Sequence, residues 1–105
     1  MSRILKAAAI QMRSGIDPAR NMEALAPLVA EAAAAGATFV STPEMTTCLE
    51  RNAQRRFDAS AKSEGDPAIQ AAADLARTHG IWLHLGSAGF ASEGLKIFNR
   101  ALVFS

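Results

Sequence analysis

The chain has 105 residues, of which half are hydrophobic and a fifth are charged. This composition is typical of a globular protein, and the length allows one domain or part of one. Eleven basic and ten acidic residues give a formal net charge of +1, with no basic cluster larger than Arg55-Arg56. That balance argues against a nucleic-acid surface.

Membrane and secretory signals are also missing from the sequence pattern. No apolar run approaches the roughly 18–20 residues that span a bilayer. Lys6 interrupts the N-terminal apolar stretch, so we interpret it as mature sequence rather than a signal peptide. The single cysteine, Cys48, cannot form an internal disulfide, which fits a reducing compartment. We therefore expect a cytoplasmic protein that binds neither nucleic acid nor membrane.

The first third of the chain predicts a strand followed by a helix. Residues 4–12, ILKAAAIQM, are interpreted as a strand covered on both faces, although alanine is a mediocre strand former and composition alone would allow a helix. Asp17 and Pro18 supply a capping side chain and a first-turn proline, which predict a helix start. Gly36 is the expected C-cap, and Pro27 predicts a kink within one helix.

The middle of the chain predicts a short strand and then a long loop. Residues 37–42, ATFVST, form an apolar run that Pro43 ends. Residues 45–65 have mixed charges and no clean period, so we expect a loop with some helical turns. Loops of this length inside a compact domain are usually functional or disordered.

The last third predicts a helix and two strands. An Asp-Pro pair at 66–67 repeats the helix-start pattern, and Gly80 ends the apolar helical periodicity. Residues 81–86 and 96–104 are interpreted as strands, joined by a turn region at 89–94. The predicted fold class is therefore α/β, in the order β-α-β-α-β-β.

This order predicts where a ligand would bind. Alternating strands and helices imply parallel pairing through right-handed crossovers, with helices on at least one face of the sheet and a final hairpin. Ligands bind such sheets at the carboxyl ends of the strands. Glu44 lies just past the carboxyl end of the second predicted strand and is the first catalytic candidate.

Glu44 and Cys48 are chemically capable groups four positions apart. A carboxylate held by a proline-containing turn and partly desolvated is suited to proton transfer, although Glu44 could instead cap a helical turn or pair with an arginine. Cys48 is interpreted as a small, buried, inert thiol, since no nearby feature would activate it.

The two histidines, His79 and His84, have simpler structural explanations. His79 lies in the last predicted turn of the second helix, where a histidine interacts well with the helix terminus. His84 is expected to point away from its neighbouring leucines, toward the sheet face of Trp82. Their spacing is not that of metal ligands.

Segments spread along the chain together resemble the nitrilase (carbon–nitrogen hydrolase) superfamily. In chain order they are AAIQM at 8–12, AGATFVSTPE at 35–44, ARTHGIWL at 76–83 and KIFNRALVF at 96–104. Within the superfamily, WLHLGSAGF at 82–90 followed by the last segment looks most like the amidase branch acting on deaminated glutathione and related ω-amides.

The resemblance implies an α-β-β-α sandwich and a Glu-Lys-Cys catalytic set. Glu44 matches the glutamate that acts as general base, while the lysine stabilises the oxyanion and the cysteine forms a thioester. Met45 and Thr46 are expected to contact substrate. A small amide substrate, no metal or organic cofactor and a homo-oligomer are implied as well.

The sequence departs from the family pattern at its end. The family's lysine and cysteine follow the strand that matches 96–104, and Cys48 does not match the nucleophile. We therefore expect residues 1–105 to be the N-terminal part of a hydrolase domain, inactive alone, with an uncovered apolar sheet face. Nitrile or N-carbamoyl hydrolysis is the enzymatic alternative, and a non-catalytic α/β binding or assembly module is the other.

Overall fold

The computed structural model describes residues 4–105, and for Leu95 its backbone only. Residues 1–3 of the expected domain lie outside the described residues. The interpretation of the extreme N-terminus as mature sequence concerns these residues too. Its elements are β1 (Ala7–Ala9), α1 (Pro18–Ala34), β2 (Phe39–Ser41), α2 (Ala53–Ala59), α3 (Pro67–His79), β3 (Trp82–Ala91) and β4 (Ile97–Phe104), with a 3-10 turn at Glu93–Leu95. The predicted α/β class is confirmed, and α2 forms inside the predicted loop 45–65.

The four strands form one sheet in the order β1-β2-β3-β4. β1 pairs with β2, and β2 with β3, in parallel, while β3 and β4 are antiparallel. Helical crossovers join the parallel strands, as expected for β-α-β units. The predicted parallel pairing and the final hairpin are therefore confirmed.

Both long helices begin at the predicted Asp-Pro pairs. The Asp17 carboxylate accepts a hydrogen bond from the Ala19 backbone N–H at 3.0 Å, and that of Asp66 accepts one from Ala68 at 3.0 Å. Each bond satisfies a backbone donor that the first helical turn leaves unpaired. No helix within residues 4–105 is long and apolar enough to cross a membrane.

Both long helices end at a glycine with left-handed backbone, since φ is +95° at Gly36 and +61° at Gly80. α1 is capped by Ala35, so the predicted cap at Gly36 is one residue late. At the end of α1 the residue after the cap adopts the left-handed backbone, a conformation that glycine accepts without steric strain. Pro27 lies inside α1, which runs as one helix across it, so the predicted single helix is confirmed, whereas the kink stays a prediction.

Strand lengths differ from the prediction. β1 has only three residues, whereas β3 has ten and continues past the predicted end at residue 86 to Ala91. A bulge between Leu85 and Ala88 shifts the register, after which Gly89 pairs with Asn99 and Phe90 with Phe98. The predicted turn at 89–94 is therefore wrong in its first half, because this pairing keeps residues 89–91 extended.

The hydrophobic core lies between one face of the sheet and the helices α1 and α3. Its fully buried side chains come from both helices and from strands β2 and β3. They are Leu25, Val29, Val40, Ala72, Ala76, Leu83 and Leu85. This is the helix-covered face that the sequence order predicts.

The opposite sheet face is open to solvent. Trp82 and Val103 are 55% and 56% exposed on it. His84 lies on the same face, where its Nδ1 is 2.9 Å from Ser41 Oγ and its ring stacks on Phe39, so its predicted orientation is confirmed. The expected uncovered apolar face is therefore present. The prediction that other layers cover both faces of β1 is wrong for residues 4–105, since Ala7 and Ala9 are exposed.

We expect residues 1–105, expressed alone, to self-associate and to enhance the fluorescence of a hydrophobic dye. The physical reason is the exposed apolar surface around Trp82 and Val103. Size-exclusion chromatography with dye titration measures both effects, and Trp82→Ser should reduce the dye signal. A monodisperse chain that binds no dye would contradict this expectation.

Candidate active site

Glu44 lies in a tight turn just beyond the carboxyl end of β2, which ends at Ser41. The turn contains Pro43, Glu44 and Met45, and Met45 has a left-handed backbone with φ of +56°. This conformation is uncommon for a residue other than glycine and occurs often at functional sites. Glu44 itself is exposed, so residues 4–105 do not supply the desolvation that we expected for its carboxylate.

Hydrogen bonds to β3 fix the backbone of this turn. The Met45 N–H donates to Ser87 Oγ at 2.9 Å, and the Thr46 N–H donates to the Ser87 carbonyl at 3.3 Å. One residue before the proline, the Thr42 N–H donates to the His84 carbonyl at 2.9 Å. Glu44 is therefore bracketed on both sides by contacts to one strand.

Gly86 allows the turn to lie directly against β3. A Cβ at residue 86 would be 2.6 Å from both the carbonyl carbon and the oxygen of Pro43, and 2.7 Å from the Thr42 oxygen. These atoms are backbone, so no side-chain rotation could relieve the overlap. A glycine at this position is therefore a steric requirement of the Glu44 turn.

Buried polar side chains support the turn from inside. Thr46 has 0% exposure, and its hydroxyl bonds to Thr42 Oγ1 and the Pro43 carbonyl. Asn21 of α1 donates from Nδ2 to the Gly15 and Thr47 carbonyls, each at 2.9 Å. A buried amide that satisfies loop carbonyls in this way fixes their positions.

A polar cavity of about 270 Å³ lies beside the turn. Its lining combines the end of the turn with α2, β3 and β4. Met45 and Cys48 line the cavity together with the polar side chains of Thr47, Arg56, Ser60 and Asn99. Thus Met45 lines a cavity next to Glu44, whereas Thr46 belongs to the buried frame of the turn.

Cys48 is buried and its Sγ is 3.5 Å from the Ile16 carbonyl. Burial raises the pKa of the Cys48 thiol, and the negative charges of Glu50 and Asp17 raise it further. Since the thiolate is the nucleophilic form, this environment opposes reactivity. Our interpretation of Cys48 as an inert thiol remains a prediction, and these contacts favour it.

A larger groove of about 740 Å³ lies between α1 and α3, away from the Glu44 turn. Three of its acidic residues serve the helices themselves, because Asp17 and Asp66 cap them and Asp74 pairs with Arg77. Within residues 4–105 no cluster of acidic, histidine or cysteine side chains could hold a metal ion. The Glu44 turn and its adjoining cavity are therefore the candidate site.

Similarity to known protein families identifies the family of this chain. The model of the carbon-nitrogen hydrolase family matches residues 6–105, nearly the whole chain. The chain belongs to this family. The predicted membership of the nitrilase superfamily is confirmed, whereas the branch within it remains a prediction. Among curated protein sequences, none is a significant match.

Solved structures of this superfamily share the fold. The C. elegans NitFhit protein is similar with a TM-score of 0.82 and 24% identity over 95% of this chain. An amidase from Nesterenkonia sp. gives 0.78 and 24% over 94%, and a CN-hydrolase superfamily protein from Xanthomonas campestris gives 0.70 and 22% over 96%. This chain covers 26%, 37% and 34% of those chains, respectively.

The residues that hold Glu44 in place were not among the site residues predicted from the sequence. Gly86 was the last residue of the predicted strand and Ser87 followed it without an assigned role, while Asn21 lay within the predicted helix but not on its apolar face. One signal was available for Asn21, since it lies on the same helical stripe as the buried Met22 and Leu25. Nothing local marks Gly86 or Ser87, because their partners are more than 40 residues earlier in the chain.

We expect Cys48 to react with iodoacetamide more slowly in the folded protein than in concentrated urea at the same pH. The raised pKa of the Cys48 thiol lowers its thiolate fraction, and burial limits access of the reagent as well. Mass spectrometry of the Cys48 peptide measures the rate. Equal rates in folded and unfolded protein would show that the thiol is accessible and ionisable.

Proposed function

We propose that the whole protein hydrolyses the carbon–nitrogen bond of a small carboxylated amide, such as an ω-amide or deaminated glutathione. Family membership supports hydrolysis of this bond type. The observation that carries the proposal is the rigid turn that presents Glu44 at the carboxyl ends of the parallel strands. An amidase among the solved structures of the same fold fits this reaction.

In the proposed mechanism Glu44 is the general base. It accepts the proton of a cysteine thiol, whose sulfur attacks the amide carbonyl and forms a C–S bond. A lysine stabilises the oxyanion, and Glu44 returns the proton to the nitrogen as the C–N bond breaks and ammonia leaves. Glu44 then activates a water that hydrolyses the thioester and releases the acid. The lysine and cysteine are implied by the family resemblance, and neither is matched by a residue of this sequence.

The same proposal covers the compartment, the oligomeric state and the cofactor requirement of the protein. We propose that the protein acts in the cytoplasm as a homo-oligomer without metal or organic cofactor. The open apolar sheet face is available to another layer of protein, either later sequence of the same domain or a second subunit. Residues 1–105 are expected to be inactive alone, as one part of a larger hydrolase domain.

Two measurements test the proposal. The coding sequence after residue 105 should contain a lysine followed by a cysteine at a strand end. The full-length protein should then release ammonia from glutaramate faster than it hydrolyses a matched nitrile or an N-carbamoyl amino acid. Preference for either of the latter would replace the amide assignment with that activity. The absence of all three activities would favour a non-catalytic module.

A further inference from the structure

The polar cavity next to the Glu44 turn contains a cation without an obvious structural partner. Arg56 of α2 lines it, and among the described side chains no aspartate or glutamate does. The ion pairs within residues 4–105 join Arg20 to Asp17 and Arg77 to Asp74. Arg56 therefore faces the cavity without an ion pair in the described part of the chain.

The other polar groups that line the cavity can donate hydrogen bonds to a bound anion. Asn99 contributes a side-chain amide and Thr47 a hydroxyl, both capable of donating hydrogen bonds. The Ser60 hydroxyl donates to the Arg56 carbonyl at 2.6 Å and thereby ties the end of α2 to the cavity wall. An arginine guanidinium binds a carboxylate with two parallel hydrogen bonds, which a lysine cannot reproduce.

Gly89 keeps the cavity open at the sheet. A Cβ there would be 3.2 Å from Ser60 Oγ and 3.2 Å from Ile97 Cγ2, inside the space that these residues line. At about 270 Å³ the cavity is just below the roughly 300–1,000 Å³ typical of sites for drug-sized ligands. It suits one end of a small substrate rather than a large ligand.

We infer that this cavity binds the carboxylate end of the substrate and that Arg56 is the residue selecting for that charge. The inference rests on the proposed function and adds to it a binding site and a specificity residue. Met45 connects the cavity to the Glu44 turn, because it lines the cavity and directly follows Glu44. A substrate held at Arg56 by its carboxylate extends its other end toward the turn that carries Glu44.

A matched pair of arginines tests the inference. In the full-length protein, Arg56→Gln should raise KM for glutaramate about 10- to 100-fold, as expected for loss of hydrogen bonds to a charged group. It should leave turnover of butyramide, which lacks the carboxylate, unchanged. Arg55→Gln removes the same charge from an exposed position of α2 and should change neither. Equal effects of Arg56→Gln on both substrates, or none, would overturn the inference.

A binding measurement separates this inference from the proposed reaction. Glutarate has no amide to hydrolyse, so its binding, measured by calorimetry, is independent of catalysis. We expect binding to wild type and Arg55→Gln, and loss in Arg56→Gln. Gly89→Ala, which fills the cavity without changing charge, should also weaken binding if Arg56→Gln proves unstable. Binding that depends on Arg56 in a protein without amidase activity would refute the reaction alone, whereas undiminished binding in both variants would refute the site.

Discussion

Glu44→Gln should lower turnover of the preferred amide by about 100- to 10,000-fold in the full-length protein, the range typical of a lost general base. The amide side chain keeps the size of glutamate but cannot accept the thiol proton at neutral pH. Because Glu44 is exposed in a turn fixed by backbone contacts, the fold should be unaffected. Steady-state ammonia release and the thermal midpoint measure the two effects separately.

Glu64→Gln is the matched control for this prediction. Glu64 is also exposed, follows Ser63 in a surface turn and is far along the chain from the Glu44 turn. It should retain wild-type activity and stability within about 0.5 kcal/mol, as is usual for surface substitutions. Wild-type turnover by Glu44→Gln would remove Glu44 from the mechanism.

Local chemistry explains the elements that the sequence predicts well. Both helix starts depend on an aspartate and the proline next to it, and the side chain and the backbone donor are two residues apart. Both helix ends depend on a glycine that accepts left-handed backbone. Such short-range signals need no knowledge of tertiary structure, and the α/β order follows from them.

The site itself depends on contacts that are distant along the chain. Ser87 bonds to Met45, and Gly86 touches Pro43, both across more than 40 residues. The extension of β3 to Ala91 likewise depends on pairing with β4 after a bulge. A sequence pattern could place Glu44 at a strand end, but it could not show which residues hold its turn or that Arg56 lines the adjoining cavity.

Gly86→Ala should be the most damaging small substitution on β3. The added Cβ would lie 2.6 Å from the Pro43 backbone, so either the turn or the strand must move. Overpacking of this kind costs about 1–3 kcal/mol of the free energy of unfolding. A displacement of the turn by about 1 Å would also lower kcat roughly 100-fold through misplacement of Glu44. Denaturant unfolding and steady-state kinetics of the full-length variant measure both consequences.

Gly65→Ala supplies the control, since its added Cβ would be 3.5 Å from the nearest atom, Ser63 Oγ, in ordinary contact. It should leave kcat unchanged and stability equal or slightly higher, because alanine restricts the unfolded chain. Ser87→Ala tests the same turn more gently by removing the acceptor of the Met45 N–H, at a cost of about 0.5–1.5 kcal/mol. If Gly86→Ala matched Gly65→Ala in both stability and kcat, the close approach of Pro43 to β3 would not position Glu44. If the close approach of Pro43 to β3 positions Glu44, kcat should fall further in Gly86→Ala than in Ser87→Ala, at unchanged KM.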